Sequence, residues 1–117
     1  LLCQLPQIQL LICAGAAGAL TDSLQVGDVV VATETVEHDY RLKFVSRPLP
    51  RFAGNRKVIE VLQNLPKTGL GFSVHFGNVA SGDEDIVDVV RGQEIAGLTE
   101  LHCGCVGRCR RRKNLSV

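Results

Sequence analysis

Residues 26–35 read Val-Gly-Asp-Val-Val-Val-Ala-Thr-Glu-Thr. The run Val26 to Thr35 is rich in β-branched residues and reads as a buried strand, because branched side chains fit a pleated surface. Gly27-Asp28 opens it, and Asp28 reads as a turn residue, since a short carboxylate bonds nearby backbone amides. A buried strand needs neighbours on both sides, so the flanking sequence decides which sheet it joins.

Upstream, Leu5 to Cys13 is a second, mostly apolar run and reads as another buried strand. Between the two lies Ile12-Cys13-Ala14-Gly15-Ala16-Ala17-Gly18-Ala19-Leu20. Alanine and glycine add little to a core, and glycine costs backbone entropy on folding, so stability alone is a poor reason for such a run. Two readings stand: a ligand lies against the bare main chain, or a helix and a strand meet there closely enough to need small residues.

Downstream, residues 41–55 carry Arg41, Lys43, Arg47, Arg51 and two prolines with no clean period, and read as a mobile surface loop. Arg56 to Leu65 follows a helical pattern, with Val58, Ile59, Val61, Leu62 and Leu65 at overlapping three- and four-residue spacings and Asn55 as the cap. Pro66 and Gly69 end it. Leu70 to Ala80 alternates apolar with small or polar residues and reads as a strand, with Ser81-Gly82-Asp83 as its turn. Asp85 to Gly97 fits a second helix, with Ile86, Val89, Val90 and Ile95 apolar. Helices interleaved with strands give an α/β fold class.

With 117 residues, 45% hydrophobic and 21% charged, the chain is sized for one globular domain and is too apolar for a disordered one. A net charge of +1 gives no general attraction to nucleic acid or to an anionic membrane. No apolar stretch approaches the ~20 residues that span a bilayer, and the opening residues lack a basic signal-peptide region, so we expect a cytoplasmic protein without a membrane partner. The chain opens on Leu1 rather than Met and reads as though an N-terminal piece were absent.

The grammar changes near residue 99. Residues 99–117 hold Cys103, Cys105, Cys109 and the basic run Arg108, Arg110, Arg111, Arg112 and Lys113. One residue between Cys103 and Cys105 is too tight for the common zinc knuckle, which fits incidental thiols better than a metal site. No aromatic residues or fold motif accompany the charges, which argues against a nucleic-acid arm. Residues 1–98 therefore read as a partial domain and 99–117 as a disordered tail.

Several stretches together resemble one family. The small-residue loop, Leu24-Gln25-Val26-Gly27-Asp28-Val29-Val30-Val31, the His38-Asp39 pair and Val79-Ala80-Ser81-Gly82-Asp83 follow the order and spacing of the nucleoside phosphorylase and nucleosidase superfamily, most like its methylthioadenosine/S-adenosylhomocysteine nucleosidase branch. The resemblance covers residues 8 to 98 and only the middle of a family member. It implies a three-layer α/β/α sandwich around a central mixed sheet, of which this chain carries a fragment. It further implies N-glycosidic cleavage of a purine nucleoside or related small molecule and homo-oligomeric relatives; no cofactor or metal is expected.

On the same resemblance, Gly15, Ala16, Ala17 and Gly18 lie beside the ribose and purine, which favours the ligand reading of that loop. Asp85 stands where nucleosidases typically place an aromatic that stacks on the purine, and Ile86 where main chain bonds the base. An aspartate cannot stack, so Asp85 either accepts hydrogen bonds from another base or caps the following helix. Ala16 replaces the usual serine or threonine of phosphate-using relatives, which favours water over phosphate as nucleophile. His38 is expected to be structural and near a subunit contact, and His75 to be a core or surface residue. The family's water-activating glutamate, ribose clamp and proton donor have no matching positions here, so little or no turnover is expected. A one-base shift near Thr99 lets the tail spell Ala-Val-Ala-Trp-Glu-Gly-Ala-Gly-Gly, similar to the family's ribose-binding segment, and residues 99–117 are read as out of frame on that ground.

Overall fold

The computed structural model describes residues 7–40, 46–99 and 103–106. Its sheet holds β1 (Val29–Glu37), β2 (Arg51–Ala53), β3 (Val74–Ser81) and β4 (Cys103–Val106), in the order β2-β1-β3-β4. β1 pairs antiparallel with β2 and parallel with β3, and β3 pairs parallel with β4, so the sheet is mixed. Parallel neighbours need long crossovers. Helix α1 (Arg56–Asn64) lies in the first crossover and α2 (Val89–Thr99) in the second. α1 packs against β1 and α2 against β3, an α/β arrangement.

The expected strand at 26–35 forms three residues later, because Gly27, at φ +100°, turns the chain before the ladder begins. Asp28 does more than turn it. Its carboxylate accepts from Gln25 N at 2.9 Å and from Ser73 N at 3.1 Å, and its Oδ2 lies 3.2 Å from His75 Nε2. One side chain thus joins the starts of β1 and β3 and sets Val29 opposite Val74. His75, expected at the core or the surface, is half-exposed.

These bonds hold the Asp28 carboxyl below its ordinary range; the Gln25 and Ser73 amides contribute most and His75 less, against the opposing pull of desolvation. A carboxyl with a lowered folded pKa contributes stability that is complete above its ordinary value of 3.8 and lost as pH falls through the folded value. Asp28→Asn should therefore melt lower than the parent at neutral pH, with the gap closing on acidification below the usual aspartate range. Thermal melts across that range check this, and a pH-independent gap would refute the charge as its cause.

β1 carries an irregularity between Ala32 and Glu34 that leaves Thr33 out of register. Thr33 is put to use: its carbonyl accepts from Gly54 N at 2.9 Å, and its hydroxyl donates to Asn78 Oδ1 at 3.2 Å. A Cβ on Gly54 would sit 2.8 Å from Ala32 O and 2.9 Å from Ile59 Cδ1, so only glycine lets the chain pass this close on its way into α1. Asn55 caps α1 as expected, its Oδ1 accepting from Val58 N at 3.3 Å. Leu65, ahead of Pro66, is extended and ends the helix.

Four expectations are corrected. Of the run Leu5 to Cys13, residues 7–13 form no ladder, and Leu11 and Ile12 are exposed. Both sides of β1 and of β3 are already taken by other strands, and residues 7–13 pair with neither β2 nor β4, so an apolar run alone does not make a strand. The loop 41–55 contains β2, which three exposed residues with no alternation did not announce; residues 41–45 lie outside the described residues. The second helix starts at Val89 rather than Asp85 and is capped by Asp88, whose Oδ1 accepts from Val90 N at 3.2 Å and whose carbonyl accepts from Gly92 N. Asp85 is therefore not the cap, and Val89 and Val90 face outward. Within the segment read as a tail, Cys103–Val106 forms β4 beside β3, while 107–117, with Cys109 and the basic run, lie outside the described residues.

The buried apolar residues among those described are Val36, Val79, Ala80, Ile86 and Ile95. Ala80, Ile86 and Ile95 form one cluster, and Leu20 packs against it.

Candidate functional site

β1 and β3 run parallel and end side by side, where ligands of open α/β sheets gather. His38 and Asp39 continue β1 beyond its last residue, and Gly82 and Asp83 continue β3. The two ends are tied together. His38 N donates to Ser81 O at 3.0 Å, and Asp39 Oδ2 accepts from Asp83 N at 2.6 Å. A Cβ on Gly82 would fall 2.6 Å from His38 Nε2 and 2.7 Å from Asp39 Cγ, so the turn lies flat on this pair. His38 is buried, with Nδ1 3.8 Å from Glu84 Oε2. It has the structural place expected for it.

Glu84 is gripped from α2. Arg91 Nε and Nη2 donate to its two carboxylate oxygens at 2.8 Å each, and Arg91 Nη1 donates to Glu94 Oε2 at 3.1 Å. The Glu84 carboxylate first, and Glu94 second, raise the Arg91 guanidinium above its ordinary range.

Beside this turn lies an open cleft of about 460 Å³. Thr35, Glu37 and Asp39 line it from β1 and its continuation, Tyr40 and Phe52 add aromatic walls, and Ser81, Gly82 and Asp83 close the far side. Carboxylates and hydroxyls around aromatic faces suit a polar ligand with hydrogen-bond donors. Of the residues singled out from the sequence, none of Gly15, Ala16, Ala17, Gly18, Asp85 or Ile86 lines this cleft. Gly15, Ala16 and Ala17 are exposed, Gly18 is half-buried in an isolated bridge, and a Cβ on Gly15 would meet nothing within 4 Å. Asp85 is exposed, and the Ile86 side chain is buried in the core.

The two groups nevertheless come off one foundation. Leu20, at the end of the small-residue loop, packs on the cluster containing Ile86. A Cβ on Gly92 would lie 3.7 Å from both Ile86 Cγ2 and Leu20 Cδ2, so the loop end, the turn and α2 converge there. Thr35, Glu37, Tyr40 and Phe52 escaped sequence reasoning. The two-residue spacing of Thr35, Glu37 and Asp39 was the available signal, since it puts them on one side of an extended chain.

A family model described as the phosphorylase superfamily matches residues 1–107. The chain belongs to this superfamily. Among curated members it is similar to a 5'-methylthioadenosine/S-adenosylhomocysteine nucleosidase of Exiguobacterium sp., 33% identical over 94 residues, covering 71% of this chain and 39% of that protein. It is similar also to an aminodeoxyfutalosine nucleosidase of Campylobacter jejuni, 32% identical over 93 residues, covering 74% of this chain and 41% of that protein. Among solved structures it superposes on the 5'-methylthioadenosine/S-adenosylhomocysteine nucleosidase of Neisseria meningitidis in complex with methylthio-immucillin-A, with TM-score 0.62 and 31% identity, over 76% of this chain and 42% of that one. The chain thus spans about two-fifths of the length of these superfamily relatives. Among its described residues no helix is long and apolar enough to cross a membrane.

Proposed function

We propose that this chain carries the nucleoside-facing loop and turn of a purine nucleosidase, the site at which a family member holds its substrate for hydrolysis of the N-glycosidic bond. One observation carries the reading: Leu20 and Ile86 pack on the same buried cluster, which supports the small-residue loop and the Gly82–Ile86 turn as two walls of one site. Gly15 through Gly18 would let a nucleoside approach the main chain. Asp85, exposed and released from capping α2, would accept hydrogen bonds from the base. Ala16 offers no hydroxyl to a phosphate, which favours water as the nucleophile. The same reading carries the homo-oligomeric assembly expected from the resemblance.

Cleavage builds positive charge on the ribose and negative charge on the departing base, and general acid or base assistance is worth roughly 10²- to 10⁴-fold for each group. The reading is of binding, with little or no turnover expected. Calorimetry with 5'-methylthioadenosine, S-adenosylhomocysteine and inosine should show weak binding of at least one, abolished by Ala17→Phe at unchanged thermal stability. Absence of binding, or binding indifferent to Ala17→Phe, would overturn the proposal. Release of free base would overturn the expectation of no turnover. A phosphate-dependent release would move the assignment to phosphorolysis.

A further inference from the structure

Arg91 stands in the first turn of α2, where the helix dipole disfavours a cation. Its side chain is nonetheless mostly covered, at 23% exposure, and turns back across residues 85–88 to take both oxygens of Glu84. A fork-to-fork pair fixes direction as well as distance, which a lysine cannot reproduce. On its other side Glu84 faces buried His38 at 3.8 Å. The neighbouring residue, Asp83, is held through its amide by Asp39 at 2.6 Å, and Ile86 is 5% exposed in the core. Asp83, Glu84 and Ile86 are therefore each anchored by a different element, and Asp85 alone of this stretch extends outward without a hydrogen bond to a described residue.

We infer that Arg91 is a positioning residue: through its bidentate hold on Glu84 it fixes the Gly82–Ile86 turn so that Asp85 meets the ligand in one orientation. The inference rests on the nucleoside reading for the identity of that ligand, but the clamp itself is measurable without one. Glu94, which also receives Arg91, is exposed and belongs to the helix rather than to the turn. It supplies the control.

The experiment uses the full chain and four variants: Arg91→Met, Arg91→Lys, Glu84→Gln and Glu94→Gln. Hydrogen exchange of the Asp83 to Ile86 amides is followed beside calorimetry with 5'-methylthioadenosine, well below each variant's melting temperature. Arg91→Met should accelerate exchange at the turn while sparing the centres of β1 and β3, and should weaken the nucleoside about 10- to 100-fold, by analogy with the loss of an outer partner behind a metal ligand. Arg91→Lys should behave like Arg91→Met, because charge without the fork does not hold the carboxylate. Glu84→Gln should fall between, and Glu94→Gln should match the parent. Unchanged exchange at the turn in Arg91→Met overturns the inference whether or not a nucleoside binds. So does faster exchange with unaltered affinity, or full rescue by lysine. Failure of the unsubstituted chain to bind any nucleoside overturns the nucleoside reading instead, and the exchange data still decide the clamp.

Discussion

Ile95→Ala should destabilise the chain by about 2–5 kcal/mol, the range for removing a buried isoleucine and leaving a cavity. Ile95 has no exposed surface and touches the cluster that joins α2 to β3, with Leu20 and Ile86 on it. Five buried apolar side chains among the described residues make a small core, and a domain's whole stability is only about 5–15 kcal/mol. One methyl-lined hole is thus a large fraction of what holds the sheet to its second helix. Urea unfolding measures it, with Val89→Ala as the comparison: Val89 lies on the same helix but is 74% exposed, so its truncation should stay within about 0.5 kcal/mol. Equal costs at the two positions would mean that α2 does not dock as described. Because the loop end and the turn share this cluster, Ile95→Ala should also weaken nucleoside binding.

How much of this was legible in the sequence depended on how local the cause was. Helix α1 was readable because its period and its cap lie within ten consecutive positions, and Asn55 caps by a bond three residues long. The Gly27-Asp28 opening of β1 was readable for the same reason, whereas the bonds from Asp28 to Ser73 and His75 span 45 and 47 residues and leave no local mark. Strands fail as local objects. Residues 7–13 have the composition of a strand and no ladder, while Cys103-Gly-Cys-Val has a poor strand composition and pairs, because the edge of β3 decides it. The second helix was found but begun too early: Ile86 belongs to its apolar pattern yet is buried from the loop that precedes it. At the site, the small-residue loop and the Ser81-Gly82-Asp83 turn were visible as motifs. The cleft between β1, β2 and β3 was not, since its walls come from residues 35 to 83 and meet only in the folded sheet.

Two glycines separate the fold's demands from the ligand's. Gly82→Ala would place a methyl 2.6 Å from His38 Nε2 and 2.8 Å from Asp39 Oδ1. His38 cannot swing away, because its side chain has no exposed surface and its own amide is bonded to Ser81 O. Asp39 cannot move without releasing the Asp83 amide. The overpacking should cost about 1–3 kcal/mol and displace the turn that carries Asp85. Gly15→Ala is the opposite case: the methyl enters open space, so stability should hold within about 0.5 kcal/mol, while a nucleoside lying on that main chain would lose its contact. Melting curves and calorimetry on both variants should therefore split, with Gly82→Ala losing stability and affinity together and Gly15→Ala losing affinity alone. If Gly15→Ala bound as well as the parent, the loop would have no ligand to accommodate, and its small residues would need a cause in packing that the open space around Gly15 does not supply.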